Sequence, residues 1–133
     1  MSEARIAKYT IPGDPIPWAR PGGKSTRFDT QKQIKLIYGI TLREQHEGPL
    51  FLGPLHIDIR FYMAVPQRLS PRKAKDLHDS YHHIRPDFSN MLKLIEDIGT
   101  GIIYKDDAQI AKFTGEKKYD SNPRTVFTIS ELR

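Results

Sequence analysis

At 133 residues with 38% hydrophobic content, the chain can build one cored domain and is too short to expect two. It contains no cysteine, which excludes disulfides and thiolate zinc sites and leaves oxygen and imidazole ligands, with carboxylates favouring hard cations such as Mg²⁺ or Mn²⁺. The formal charge of +5 suits a polyanion partner as well as an ordinary soluble protein, and no apolar run is long enough for a membrane span or a secretory signal, so a cytoplasmic protein with no membrane partner is expected.

Residues 5–11 read as a strand that stops at Gly13-Asp14-Pro15. Pro12, Pro15, Pro17 and Pro21 stiffen the next segment, which carries Trp18 among the spaced cations Arg20, Lys24 and Arg27. Such a segment can follow a nucleic acid backbone, or Trp18 can plug the core while the cations are solvated. Asp29 or Thr30 caps a helix whose apolar positions are Ile34, Ile37, Tyr38, Thr41 and Leu42.

Residues 55–63 alternate apolar and polar side chains, the pattern of a strand buried on one face. Ser70-Pro71 starts a short basic helix, and a loop runs on to His83. His82 and His83, adjacent in that loop, are poorly placed to chelate one ion and suit the surface or the DNA backbone. From Phe88 to Ile98 the apolar side chains occupy one arc of a helix, and Gly99 ends it. A short strand over 102–104 is interrupted by Lys105-Asp106-Asp107, and residues 109–119 and 125–129 read as two more strands around an Asp-Ser-Asn-Pro turn. One α+β domain over 1–133 follows, a small mixed sheet with packed helices.

Charge is distributed unevenly. Between residues 87 and 107 there are five acids and two bases, leaving a surplus of positive charge on the rest of the chain. Basic surface for phosphates around concentrated carboxylates for a metal is what a nuclease requires; an acidic turn beside a solvated helix face would look the same in composition. Asp87 follows Pro86 at the helix entrance, where capping alone would account for it. Asp106 and Asp107 come about one helix and one strand later, the length that returns a chain alongside its start. The spacing therefore predicts that Asp87, Asp106 and Asp107 converge on one cation. Lys93 lies on the polar face of the same helix, placed to meet a phosphate, or else to pair with Glu96 or Asp97. Arg85 and Lys105 flank the two acidic motifs and are candidate phosphate contacts.

The stretch RPDFSNMLKLIEDIGTGIIYKDDAQI resembles the signature of the RusA-type Holliday junction resolvases: basic residue, proline, Asp-x-Asp-Asn, a lysine, an aspartate, and a later Asp-Asp-Ala/Ser-Gln. Matching positions are Arg85, Pro86, Asp87, Asn90, Lys93, Asp97, Asp106, Asp107 and Gln109. The proline-rich exit from the first strand, the MAVPQRLSPRKAK segment and the KKY and PRTVFTI stretches extend the likeness over most of the chain. The resemblance implies a homodimeric, Mg²⁺-dependent endodeoxyribonuclease that nicks opposed strands of four-way junctions in recombination and repair. It implies Asp87 and Asp107 as metal ligands, with Lys93 assisting.

Ser89 departs from that pattern, because it stands where the motif has its second aspartate. Glu96, seven residues on, is the candidate to replace the missing carboxylate, and Ser89, Asn90 and Asp97 are expected to support the site or cap the helix. The competing expectation is a catalytically impaired branched-DNA-binding protein of the same fold.

Overall fold

The structure, a computed structural model, describes residues 4–19 and 30–132. Arg20, Lys24, Arg27 and the candidate cap Asp29 lie outside the described residues. The elements are β1 (Ile6–Pro12), α1 (Thr30–Gln45), β2 (Leu55–Ala64), α2 (Pro71–Leu77), α3 (Phe88–Gly99), a 3₁₀ turn (Asp107–Gln109), β3 (Ile110–Asp120) and β4 (Arg124–Glu131). They build the expected α+β domain around one mixed sheet of order β1-β4-β2-β3, with β2 and β3 parallel and the other pairs antiparallel.

The alternation in β2 decides this arrangement. Leu55, Ile57, Ile59, Phe61 and Met63 are all buried, while His56, Asp58, Arg60 and Tyr62 face the other way. A fully buried Ile, Leu, Phe or Met contributes about 1.5–3 kcal/mol, so the strand with five of them takes an inner position, paired on both edges. Rows run across the sheet from it: Tyr9, Phe127, Ile59 and Gly115 in one, Ile11, Thr125, Phe61 and Lys117 in the next. The opposite face carries a polar ladder in which Thr114 donates to Asp58 (2.7 Å) and Arg60 pairs with Asp58 and Glu116 (both 3.3 Å). Such exposed pairs contribute under about 1 kcal/mol each.

Three expectations change. β3 and β4, joined by Ser121, Asn122 and Pro123, do not pair with each other, because β2 lies between them. Residues 102–104 form no strand; Tyr104 makes only isolated bridges with Phe51 and Thr100, within a turn in which Gly101 takes a positive φ of 85°. On α1, Tyr38 and Leu42 are buried as expected, but Ile37 is 60% exposed together with Leu36 and Ile40. The edge of β1 is closed instead by α1's last residue, since the Gln45 amide both donates to and accepts from the Thr10 backbone (2.7 and 2.8 Å).

His82 is also corrected. It is buried with its ring tilted against Tyr119 at 4.8 Å between centroids, its Nδ1 has no hydrogen-bond partner among the described residues, and its backbone N–H donates to the Lys117 carbonyl on the outer edge of β3. Burial, then the neighbouring charges of Lys117 and His83, hold the imidazole below its ordinary pKa. The unfolded chain therefore binds the proton more readily, and the stability this group contributes is complete above the ordinary histidine pKa of about 6.5 and is lost as pH falls below it. His82→Phe keeps a ring against Tyr119 and removes the titration, so its Tm should fall less than that of the parent protein between about pH 6.5 and pH 5. Parallel Tm curves for the two proteins would refute that assignment.

Candidate active site

α3 sits across the sheet on Met91, Leu92, Leu94, Ile95 and Ile98, all buried, which fixes its polar face toward solvent. Its N-terminal end is seated by β3. Phe88, the first helical residue, packs edge-on against Phe61 at 5.2 Å, in space left by Gly115, where an added Cβ would stand 2.8 Å from the Phe88 ring and inside the contact radius of the Ile59 carbonyl oxygen. One pair further along β3, the Lys117 ammonium donates to the carbonyls of Ile84 and Pro86 (2.6 and 2.7 Å). Asp87 is held between these two anchors. It occupies the N-cap position, yet its carboxylate makes no capping hydrogen bond and is exposed. Capping therefore does not account for Asp87, and the carboxylate is available to a ligand near the positive end of the helix dipole.

Ser89 and Asn90 follow on the exposed first turn. The Asn90 carbonyl accepts the Trp18 N–H (2.9 Å), and the Trp18 ring lies 3.7 Å from the Lys93 ammonium. Trp18 thus packs at the margin of the core and carries Lys93 on its face. Cation–π contacts of this kind contribute about 0.5–1 kcal/mol at exposed sites, enough to favour one orientation of a flexible chain. Lys93 forms no ion pair with Glu96 or Asp97 among the described residues.

The remaining acids gather at the other end of α3. Asp107 lies close enough to Asp97 and Asp106 for their charges to act on it, and its carboxyl is raised above the usual range by burial first and then by these two neighbours. Glu96 is raised by burial first and then by Asp107 and Asp97. Asp106 has a separate duty: its carboxylate accepts the Ala108 N–H (2.9 Å), and the Gln109 amide oxygen accepts the Lys105 and Asp106 N–H groups (both 3.0 Å) in a capping box. Gln109 also donates to the carbonyls of Phe51 and Gly53 (both 3.1 Å), fixing the turn to the start of β2. The Tyr104 hydroxyl donates to the Glu96 carbonyl (2.7 Å) and ties the turn to the helix.

Asp87 and Asp97 are ten residues apart, so about 15 Å of helix axis separates the two acidic ends. Among the described residues no group of three or more Asp, Glu and His side chains is arranged to hold a metal ion. The expected convergence of Asp87, Asp106 and Asp107 does not occur within one chain, because a straight helix carries the chain away from Asp87 before the turn brings in Asp107. For the same reason Glu96 cannot replace a carboxylate at Ser89; it belongs with Asp97 and Asp107. Asp97, read from the sequence as supporting, is the neighbour whose charge acts most strongly on Asp107. Arg85 stands exposed at the Asp87 end and Lys105 at the Asp107 end.

The carboxylate pair Asp97–Asp107 passes a test of fitness for a divalent cation. No lysine or arginine among the described residues pairs with it, and Mg²⁺ is commonly held by one or two carboxylates with waters and substrate phosphates completing its shell.

Exposed or half-exposed carboxylates thus stand at both ends of α3 in a basic α+β domain. A family model described as Endodeoxyribonuclease RusA matches residues 12–130, and the chain belongs to that family. It is also similar to a protein of Bacillus subtilis (strain 168) described as "Uncharacterized protein YqaN", with 27% identity over 136 residues covering 94% of this chain and 96% of the relative.

Proposed function

We propose that this protein is a divalent-cation-dependent endonuclease that acts as a homodimer on four-way DNA junctions, nicking two opposed strands. The observation that carries this reading is the set of un-neutralised carboxylates, Asp87 at one end of α3 and Asp97 with Asp107 at the other, in a chain of formal charge +5. A protein that only bound DNA would gain nothing from acids facing phosphate.

The separation along α3 gives dimerisation a chemical purpose. An isologous two-fold axis running beside α3 and perpendicular to it would set two copies of the helix antiparallel and place Asp87 of the partner subunit beside Asp97 and Asp107. The exposed Leu36, Ile37 and Ile40 support a partner on that side, because Leu36 lines a groove of about 270 Å³ that Asp97 also lines. Mg²⁺ would be held by Asp107 and Asp97 with Asp87 of the partner subunit, and would supply Lewis acidity at the scissile phosphate. Lys93 adds positive charge where the phosphate becomes more anionic, and Trp18 keeps it pointed there. Arg85 and Lys105 hold phosphates on either side.

Mixing Asp87→Asn with Asp107→Asn protein tests this arrangement. Each variant alone should fail to nick a synthetic junction in Mg²⁺, whereas a mixed dimer holds one intact composite site and should recover nicking of a single strand. Absence of recovery in a mixture shown to form mixed dimers would refute the composite site.

A second reading, an impaired junction-binding protein, is favoured by Ser89 and by the lack of a three-acid group among the described residues of one chain. Ser89→Asp separates the two. In an active enzyme it should lower the Mg²⁺ concentration for half-maximal cutting, by about tenfold for one added ligand. If the parent protein binds junctions and cuts with neither Mg²⁺ nor Mn²⁺, the binding reading replaces the nuclease.

A further inference from the structure

α2 presents a physical puzzle. It is seven residues long, buries no side chain, and is held by its Ser70 cap, by Pro71 and by the half-buried Ala74 and Leu77. A helix this short is unstable alone. Yet Arg68, Arg72, Lys73 and Lys75 lie within eight residues of one another, all exposed, with Asp76 the one acid among them. None of the four forms an ion pair among the described residues. Their mutual repulsion opposes the fold, and a polyanion laid across them would relieve it.

Beside α2 runs a groove of about 420 Å³, lined by Leu69, Leu77, Ile84 and Tyr119 together with the cations Arg68 and Lys73 and the single acid Asp76. Its far wall belongs to the loop that presents Asp87: Ile84 lines the groove, and the Lys117 ammonium binds the carbonyls of Ile84 and Pro86. Asp87 lies three positions after Ile84, a span of at most about 11 Å.

We propose that α2 and this groove form a second nucleic-acid contact, gripping the sugar-phosphate backbone of the strand that leads away from Asp87. The cations take the phosphates, and the apolar floor suits sugar and base faces. This rests on the nuclease reading and deepens it, assigning α2 the task of orienting a junction arm relative to the cut.

The test is junction binding over a series of salt concentrations in EDTA, comparing the parent protein with a variant carrying Arg68→Gln, Arg72→Gln, Lys73→Gln and Lys75→Gln. Each phosphate left without its cation should lower the slope of log Kobs against log salt by about 0.9, so a decrease of roughly two to four is expected. A charge-keeping variant, Arg68→Lys, Arg72→Lys, Lys73→Arg and Lys75→Arg, should retain the parent slope. An unchanged slope in the glutamine variant, or a parent protein that does not bind DNA, overturns the proposal. Binding without cleavage would overturn the nuclease reading and leave this second DNA-binding surface standing, since the assay needs no metal.

Discussion

Asp107→Asn should lower junction cutting in Mg²⁺ by more than about a hundred-fold, beyond the range seen when a metal's supporting partners are removed, while leaving junction affinity in EDTA nearly unchanged. It should also make the metal-free protein more stable at neutral pH. Burial and the neighbouring Asp97 and Asp106 raise the Asp107 carboxyl, so the folded state resists ionising it. The stability linked to such a group is complete below the ordinary aspartate pKa of about 3.9 and is lost as pH rises through the raised value. Asparagine removes the charge that is resisted. The gain in Tm should therefore appear near pH 7 in EDTA and vanish near pH 4. Adding Mg²⁺ should raise the Tm of the parent protein and not that of the variant. A variant equally stable at both pH values would show that Asp107 carries no strain, and one that cuts normally would remove it from the site.

Gly115→Ala should cost about 1–3 kcal/mol or more of stability, the range for forcing extra volume into a packed region, and should lower cutting further than the stability loss explains. The new Cβ would meet the Ile59 carbonyl and the Phe88 ring. Phe88 can yield only by moving the start of α3, and Asp87 moves with it. Lys117→Met removes the other anchor, leaving the Ile84 and Pro86 carbonyls without their ammonium donor. The effect of both on catalysis is read at a temperature where the variants remain folded, as a decrease in kcat with junction affinity unchanged. Normal turnover in folded Gly115→Ala would show that β3 does not position Asp87.

Gly115 and Lys117 carried no functional signal in the sequence. A glycine inside a strand marks a close approach, and that was the one legible hint; what approaches it is the Phe88 ring from 27 residues earlier in the chain. Lys117 stands in the KKY stretch, and its role depends on the loop carbonyls reaching it. The same is true of Asp97, whose proximity to Asp107 requires the turn after α3 to double back.

Local pattern was enough for the strand 55–64, for α2 with its Ser70 cap, for α3 with its apolar arc and for the family signature, since alternation, capping and helical spacing act between residues close in sequence. Whether acids twenty residues apart share one cation depends on the length and direction of the element between them. α3 is twelve residues long, about 18 Å of helix axis, so it holds Asp87 apart from the acids at its other end within one chain. That separation, like the place of β2 between β3 and β4, was decided by packing of the apolar arc on the sheet, a constraint that acts over the whole domain.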